Sequence, residues 1–206
     1  MDPQSALDLL DWKRRIFELY RVIRTTSDPA AAWRSWCESR DDMFRTHPQS
    51  PVPADERAAF PGVPYFPYDP AFRTTADIER VEPQSFEIPT SGNETMRFTR
   101  FARCHFELEG TAHALSAYWL DAYGGGLFLS FRDATSGTTT YGAGRYLLDT
   151  VKGSDLGSVE GALVLDFNFA YNPSCSYDPR WVCPLAPPEN RLDVPIEAGE
   201  RVPPTN

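Results

Sequence analysis

The sequence has few lysines, histidines and cysteines, and its acidic residues outnumber its basic ones. Lys13 and Lys152 are the only lysines among 20 basic residues, and there are three histidines and four cysteines. The formal net charge is −9. Nucleic acids and anionic lipid surfaces are bound by clustered cations, which this composition lacks. We therefore expect neither a nucleic-acid nor a membrane partner.

Long apolar runs are also missing. No run approaches the roughly 20 residues of a membrane-spanning helix. Residues 1–15 have no basic start followed by an apolar stretch, so no signal peptide is expected. We therefore expect a soluble cytoplasmic protein, whose thiols stay reduced unless they are catalytic or bind metal. A hydrophobic fraction of 41% over 206 residues predicts a folded chain with a real core.

Composition divides the chain into three segments. Residues 1–47 carry apolar side chains at helical spacing and predict a helical pair, with Asp28 suited to an N-cap and Pro29 to the first helical position. Residues 48–71 contain seven prolines, which exclude a long helix or a central strand. Aromatic side chains lie between these prolines, so we expect an ordered arm that wraps on the body. Residues 72–206 are expected to form the β domain.

The third segment has the patterns of β-strands. Over 97–109 apolar and polar residues alternate, as in a strand with one face on a core. Apolar runs between Gly and Pro turns predict further strands at 72–81, 84–89, 111–120, 127–131, 138–146, 162–171 and 191–196. Such closely spaced strands are typical of an antiparallel β-barrel or roll. The predicted fold class is mainly β with N-terminal α, the barrel or roll being covered by two helices.

Short motifs are spread through the last three quarters of the chain. They include Phe60-Pro61-Gly62, Phe66-Pro67-Tyr68-Asp69, Phe86-Glu87-Ile88-Pro89, Thr140-Tyr141-Gly142, Gly144-Arg145-Tyr146, Asp166-Phe167-Asn168 and Ala170-Tyr171-Asn172-Pro173. In these motifs the chain resembles the bacterial family called domain of unknown function 1684. The resemblance implies no activity and no catalytic residue.

Polar residues of the second half predict a ligand site. Asp166 and Asn168 share the face of the predicted strand 162–171 that is opposite its apolar side chains. Arg145 precedes an apolar run, so it should lie close to the core and need a partner such as Asp133, Asp149 or Asp166. Either this pair is structural, or Arg145 keeps free donors that anchor a carboxylate or phosphate. We expect these ligand-binding residues to converge on one cavity: Tyr141, Arg145, Asp166, Asn168 and Asn172.

Two of the four cysteines, Cys175 and Cys183, are separated by seven residues. A zinc site usually shows paired Cys-x-x-Cys or Cys/His spacings, so we expect no metal. Prolines in and around the intervening loop predict that the two thiols lie close together, as a buried pair or a disulfide. A nucleophilic cysteine with His105 or His113 as its base is an alternative.

Three classes of function stay open at this point. The first is a pocket protein for a small polar or anionic ligand. The second is an enzyme, either a hydrolase that uses a Cys or an Asp, or a flavin enzyme on a split-barrel fold by analogy alone. The third is a non-catalytic interaction module that presents the helices and the Pro-rich arm. No motif identifies a cofactor.

Overall fold

The fold begins with two helices. The computed structural model describes residues 2–203, so residues 204–206 of the expected β domain lie outside the described part. Helix α1 is Pro3–Thr25 and helix α2 is Pro29–Thr46. The predicted start of α2 is confirmed, because Asp28 Oδ1 accepts a hydrogen bond from the Ala30 amide at 2.9 Å and Pro29 follows the cap. A side-chain oxygen at this position satisfies an amide that the first turn leaves unpaired.

Seven strands form one antiparallel sheet. They are β1 (Arg73–Pro89), β2 (Thr95–Leu108), β3 (Thr111–Leu120), β4 (Leu127–Phe131), β5 (Arg145–Asp149), β6 (Ser158–Val159) and β7 (Ala162–Asp166), in the order β5-β4-β3-β2-β1-β7-β6. Within residues 2–203 the sheet stays open. A bridge between Tyr146 of β5 and Tyr171, which follows β7, draws its two ends together, with N···O distances of 2.8 and 3.0 Å. The predicted mainly β class is confirmed as a roll with covering helices.

Both helices pack on the sheet through buried stripes. The buried side chains of the stripes are Ile16, Leu19, Tyr20 and Ile23 of α1 and Ala32, Trp36, Arg40, Met43 and Phe44 of α2. Trp36 is wholly buried, and its ring centroid lies 5.3 Å from that of Phe169. Burial of one large apolar side chain contributes about 1.5–3 kcal/mol. The helices are therefore held mainly by the apolar core, with a single arginine inside it.

The Pro-rich arm is bound to the body at several points. The Val63 amide donates to Asp41 Oδ1 of α2 at 2.9 Å, and the Phe66 amide donates to the Gly199 carbonyl at 3.0 Å. Tyr65 forms a β-bridge with Glu200. These bonds fix the arm between α2 and the segment 196–201. The division of the chain into three segments stays a prediction.

The strand predictions fail at four places. The spans 72–81 and 84–89 are one strand, β1, with a register shift between Arg80 and Gln84. The predicted strand 138–146 is wrong before Arg145, because the Thr135 carbonyl accepts the amides of residues 138–140 and closes a turn. The predicted strand 191–196 is also wrong within the described chain, where Arg191 makes only an isolated bridge to Arg132.

The fourth incorrect strand is 162–171, which carries two of the predicted ligand-binding residues, Asp166 and Asn168. Strand β7 ends at Asp166, and residues Phe167–Phe169 form a 3-10 turn. The Asp166 side chain caps this turn by accepting the Asn168 amide at 3.1 Å. The alternating parity predicted for 162–171 therefore does not continue through Asn168.

Candidate functional site

Arg145, the predicted anchor, is buried and fully occupied at its two terminal nitrogens. The residue opens β5 and is 1% exposed. Nη2 donates to Asp133 Oδ2 and to the Ile196 carbonyl, each at 2.9 Å. Nη1 donates to the carbonyls of Ala198 and Glu200. The guanidinium thus ties the segment 196–200 to β5, and Asp133 is the partner carboxylate among the three that the sequence offered.

Asp166 and Asn168 form a second structural group. Asp166 is wholly buried, and its Oδ2 accepts from Arg73 Nη1 at 3.2 Å. Asn168 Nδ2 donates to Asp166 Oδ1 and to the Asp69 carbonyl, each at 2.8 Å, and its Oδ1 accepts the Asp69 amide at 2.9 Å. Burial raises the pKa of Asp166, although Asn168 and Arg73 oppose that effect. This group pins the arm at Asp69 to the end of β7.

Tyr141 lies elsewhere, beside the two cysteines. Its hydroxyl is 3.8 Å from Cys175 Sγ, and the Cys175 thiol lies next to that of Cys183. The prediction that the two thiols lie close together is confirmed, and both are free thiols. His105, a predicted base, instead contacts Glu79 Oε2 through Nε2 at 2.6 Å. Within residues 2–203 no group of three metal-ligating side chains occurs.

The five predicted site residues therefore do not meet in one place. Asp166 and Asn168 bond each other, Tyr141 contacts Cys175, and Arg145 binds the segment 196–200. Asn172 alone lines the cavity described next. The expected convergence is not found, and ligand binding by these five stays a prediction.

A different arginine, Arg40 of α2, lies in a cavity. Its side chain is 8% exposed and pairs with Glu200, which is wholly buried. Arg40 Nε donates to Glu200 Oε1 at 2.7 Å, and Nη2 donates to the same oxygen. The other oxygen, Oε2, accepts the Asn172 amide at 2.7 Å and the Tyr177 hydroxyl at 3.1 Å. The carboxylate is thus saturated, whereas Arg40 Nη1 makes no hydrogen bond to residues 2–203.

Aromatic rings surround this guanidinium. Its central carbon lies 5.0 Å from the ring centroid of Trp36, 4.8 Å from that of Phe44 and 5.1 Å from that of Tyr171. Ring faces carry negative charge density and attract a cation that has lost part of its water shell. Burial is the largest single influence and lowers the pKa of Arg40, but Glu200 and the neighbouring tyrosines together raise it above its ordinary value. Arg40 is therefore a permanent cation in a largely apolar setting.

We call the space beside Arg40 the helix–sheet cavity. Its volume is ≈ 60 Å³, and its lining comes from both helices, the turn after β5 and the segment after β7. The lining residues are Trp12, Ile16, Tyr20, Arg40, Phe44, Pro51, Lys152, Ser154, Tyr171, Asn172 and Ser174. A hollow of ≈ 510 Å³ lies on the helices, but it is lined by exposed side chains such as Arg14 and Glu18. The helix–sheet cavity differs from this hollow because buried polar groups line it.

Two other polar groups of the lining have unused hydrogen-bonding capacity. The Tyr20 hydroxyl accepts from Trp36 Nε1 at 3.2 Å and from Ser154 Oγ at 3.1 Å, so its own proton remains to be donated. Burial raises the pKa of Tyr20, so that proton is retained at neutral pH. Asn172 Oδ1 is buried and accepts no hydrogen bond from the described residues. A buried polar atom without a partner is uncommon and calls for an explanation.

Sequence reasoning missed Arg40, Glu200 and Tyr20. A signal for Arg40 was present, because it follows Trp36 by four residues and precedes Phe44 by four. Residues at that spacing share one face of a helix. An arginine in the middle of an apolar stripe must be buried with a counter-charge, whose identity the local sequence does not give.

Arg145→Lys is expected to lower the free energy of unfolding by about 2 kcal/mol, because an ammonium group has three donors for the four contacts and about one charged hydrogen bond is lost. Arg191→Lys is the matched control, since Arg191 is 59% exposed and lies 3.7 Å from a still more exposed Asp193. Urea unfolding of both variants gives the comparison. Equal losses would contradict the assignment of Arg145 to the 196–200 segment.

Among residues 2–203 no helix is long and apolar enough to cross a membrane. A solution NMR structure of an uncharacterised protein from Haloarcula marismortui is similar to this chain, with 37% sequence identity and a TM-score of 0.59. The similarity covers 82% of this chain and 91% of that one. No curated protein matches. Residues 58–201 match a family described as a protein of unknown function (DUF1684). They include Arg145, Asn172, both cysteines of the pair and Glu200, and the chain belongs to this family.

Proposed function

We propose that the chain binds a small oxyanion, such as a carboxylate, in the helix–sheet cavity, with Arg40 as its anchor. One observation carries the proposal. Arg40 is a buried cation whose Nη1 makes no hydrogen bond to the described residues, although the guanidinium lines a cavity. A guanidinium edge with free N–H donors suits carboxylate and phosphate oxygens. The proposed anchor is therefore Arg40, in place of Arg145, which the sequence predicted.

The other polar groups of the lining fit the same ligand. Tyr20 can donate its proton to an oxyanion, and Lys152 adds a second cation at the cavity. Asn172 Oδ1 lacks a donor and would favour a ligand that carries a hydroxyl or amino group next to its acid group. The preferred class is therefore a small hydroxy or amino acid, or a comparably small oxyanion.

Size limits the ligand more strongly than charge does. A volume of ≈ 60 Å³ holds about four to six waters at the roughly 10–15 Å³ of cavity volume that each needs. Only a ligand of a few non-hydrogen atoms fits without movement of the helices. The apolar rings around Arg40 exclude bulk water, which strengthens the hydrogen bonds of a bound anion.

The proposal is tested first by mass spectrometry of the purified chain under non-denaturing conditions, which detects a ligand that co-purifies. Thermal unfolding then compares acetate with acetamide, and lactate with propionamide, at constant ionic strength. A ligand at 100 times its Kd stabilises by about 2.7 kcal/mol, which raises Tm by about 5–10 °C for a domain of this size. We expect the acids to raise Tm and the neutral amides to leave it unchanged.

Lys152→Gln is expected to weaken binding of the acid about 2- to 5-fold, because Lys152 is 47% exposed and its charge is partly screened. Lys13→Gln is the matched control, since it removes the only other lysine, which is exposed and does not line the cavity. Both Kd values come from Tm shifts over a range of ligand concentrations. Equal stabilisation by acid and amide, or equal effects of the two substitutions, would reject the site.

A further inference from the structure

The two thiols beside Tyr141 form a group that the helix–sheet cavity does not use. Each is held in place by bonds to the rest of the chain. The Cys183 amide donates to Ser91 Oγ at 3.0 Å, and the Cys183 carbonyl accepts the Ser91 amide at 2.8 Å. Cys175 lies in a 3-10 turn, Ser174–Ser176, that is closed by the Ser176 amide on the Pro173 carbonyl. The loop between them therefore starts and ends at fixed points.

The two cysteines differ in exposure. Cys175 is half-buried, whereas Cys183 is 2% exposed. The Cys175 sulfur lies next to the Cys183 thiol and 3.8 Å from the Tyr141 hydroxyl. The Cys183 thiol and the hydroxyls of Ser91 and Tyr141 thus face the more accessible sulfur. Hydrogen bonds to a thiolate favour the charged form, which is the reactive one.

The electrostatics agree with this geometry. The Cys183 hydrogen bond, opposed by burial and aided by Ser91 and then by Tyr141, lowers the pKa of Cys175 to about 6. The same contact raises the pKa of Cys183 well above its ordinary value, and burial adds to the effect. Cys175, the more accessible of the two, is therefore the thiol that ionises more readily, and the Cys183 thiol stabilises its charge.

We infer that Cys175 and Cys183 form a thiol–disulfide exchange site, which takes a small disulfide as its oxidant. Cys175 is the attacking thiol because it is accessible, and Cys183 is the resolving thiol because it is buried against the first sulfur. Cys175 and Cys183 act on each other and can therefore react in turn, whereas neither Cys37 nor Cys104 interacts with another cysteine of the described chain.

The reaction balances without a cofactor. The Cys175 thiolate attacks one sulfur of the small disulfide, forming a mixed disulfide and releasing one small thiolate. Cys183 then loses its proton and attacks Cys175 Sγ, which forms the 175–183 disulfide and releases the second small thiolate. The two released thiolates take up the two protons that the cysteines lose in all. The protein pair is oxidised, and the small disulfide is reduced.

The experiment uses the full chain, reduced and then incubated with oxidised glutathione at neutral pH. Arg180 lies between the cysteines, so trypsin separates them into two peptides unless a disulfide joins them. We expect a linked peptide pair in the wild-type chain and its disappearance after reduction. Cys183→Ser should stop the reaction at a glutathione adduct on Cys175, and Cys175→Ser should give neither product.

A second measurement separates a reactive site from a merely exposed thiol. Alkylation of Cys175 by iodoacetamide should have its pH midpoint near the lowered pKa, against about 8.5 for an ordinary thiol. Tyr141→Phe should move that midpoint upward by about 0.5–1 pH unit, as expected for the loss of one hydrogen bond. Cys37 in the same sample is the internal reference.

Three outcomes would overturn the inference. They are the absence of the linked peptides in the wild-type chain, the absence of an adduct in Cys183→Ser, and a pH midpoint for the alkylation of Cys175 at about 8.5 or above. None of them bears on anion binding by Arg40.

Discussion

Glu200→Gln is expected to lower the free energy of unfolding by about 3–5 kcal/mol, because it leaves a buried arginine without its counter-charge. Arg40 pairs with Glu200 through two nitrogens, and the two side chains are 8% and 0% exposed. The second oxygen of Glu200 also accepts the Asn172 amide and the Tyr177 hydroxyl, and glutamine cannot accept as strongly there. In a domain of this size the loss corresponds to a fall in Tm of about 6–20 °C.

Glu197→Gln is the matched control, since it makes the same chemical change three residues away at an exposed position. It should change stability by no more than about 0.5 kcal/mol. The double variant Arg40→Met/Glu200→Gln should regain much of the loss, because a buried ion pair replaced as a whole costs far less than one broken in half. Urea unfolding with an unchanged m-value is the measurement. A Glu200→Gln variant as stable as Glu197→Gln would refute the role of this pair.

Gly199→Ala is expected to destabilise by a similar amount, about 3–5 kcal/mol, from backbone strain and displaced hydrogen bonds. Gly199 has φ +77°, and an added Cβ would lie 2.5 Å from the Ala170 carbonyl oxygen and 2.7 Å from that of Phe167. Both contacts are with backbone, which cannot rotate away as a side chain can. The Ala170 oxygen also accepts the Glu200 amide at 2.8 Å, so any shift disturbs the residue that pairs with Arg40.

Gly161→Ala isolates the conformational part of this effect. Gly161 has φ +89°, and an added Cβ there meets nothing within 4 Å. A left-handed conformation alone costs about 1–2 kcal/mol, so this variant should lose only that amount. Thermal unfolding of the two variants under one condition gives the difference. Losses of equal size would show that the close approach of Gly199 to the segment after β7 is unimportant.

The elements that could be predicted correctly from the sequence are those whose ends are determined by residues close to them in the chain. The strands β3 (Thr111–Leu120) and β4 (Leu127–Phe131) begin and end at the predicted residues. Alternation of side chains and a turn at each end are enough to predict such strands. Asp28 and Pro29 define the start of α2 for the same reason.

The candidate site depends on contacts that are distant in sequence. Arg40 and Glu200 are separated by 160 residues, and nothing near either residue indicates the other. The alternation at Asp166 and Asn168 suggested a continued strand, but the Asp166 side chain takes up the Asn168 amide and ends it. A short polar side chain that accepts a hydrogen bond from a nearby amide competes with strand pairing for that amide. The apolar pattern alone does not show whether the strand continues or a turn forms.

The separation of Arg40 from Glu200 also affects how the protein is made. A ribosome adds about 5–20 residues per second, so α2 waits about 10–30 s for its counter-charge to be synthesised. During that interval Arg40 cannot enter an apolar core without a large penalty, and the aromatic residues of α2 stay uncovered. The native packing of α2 is therefore completed only after Glu200 has been synthesised.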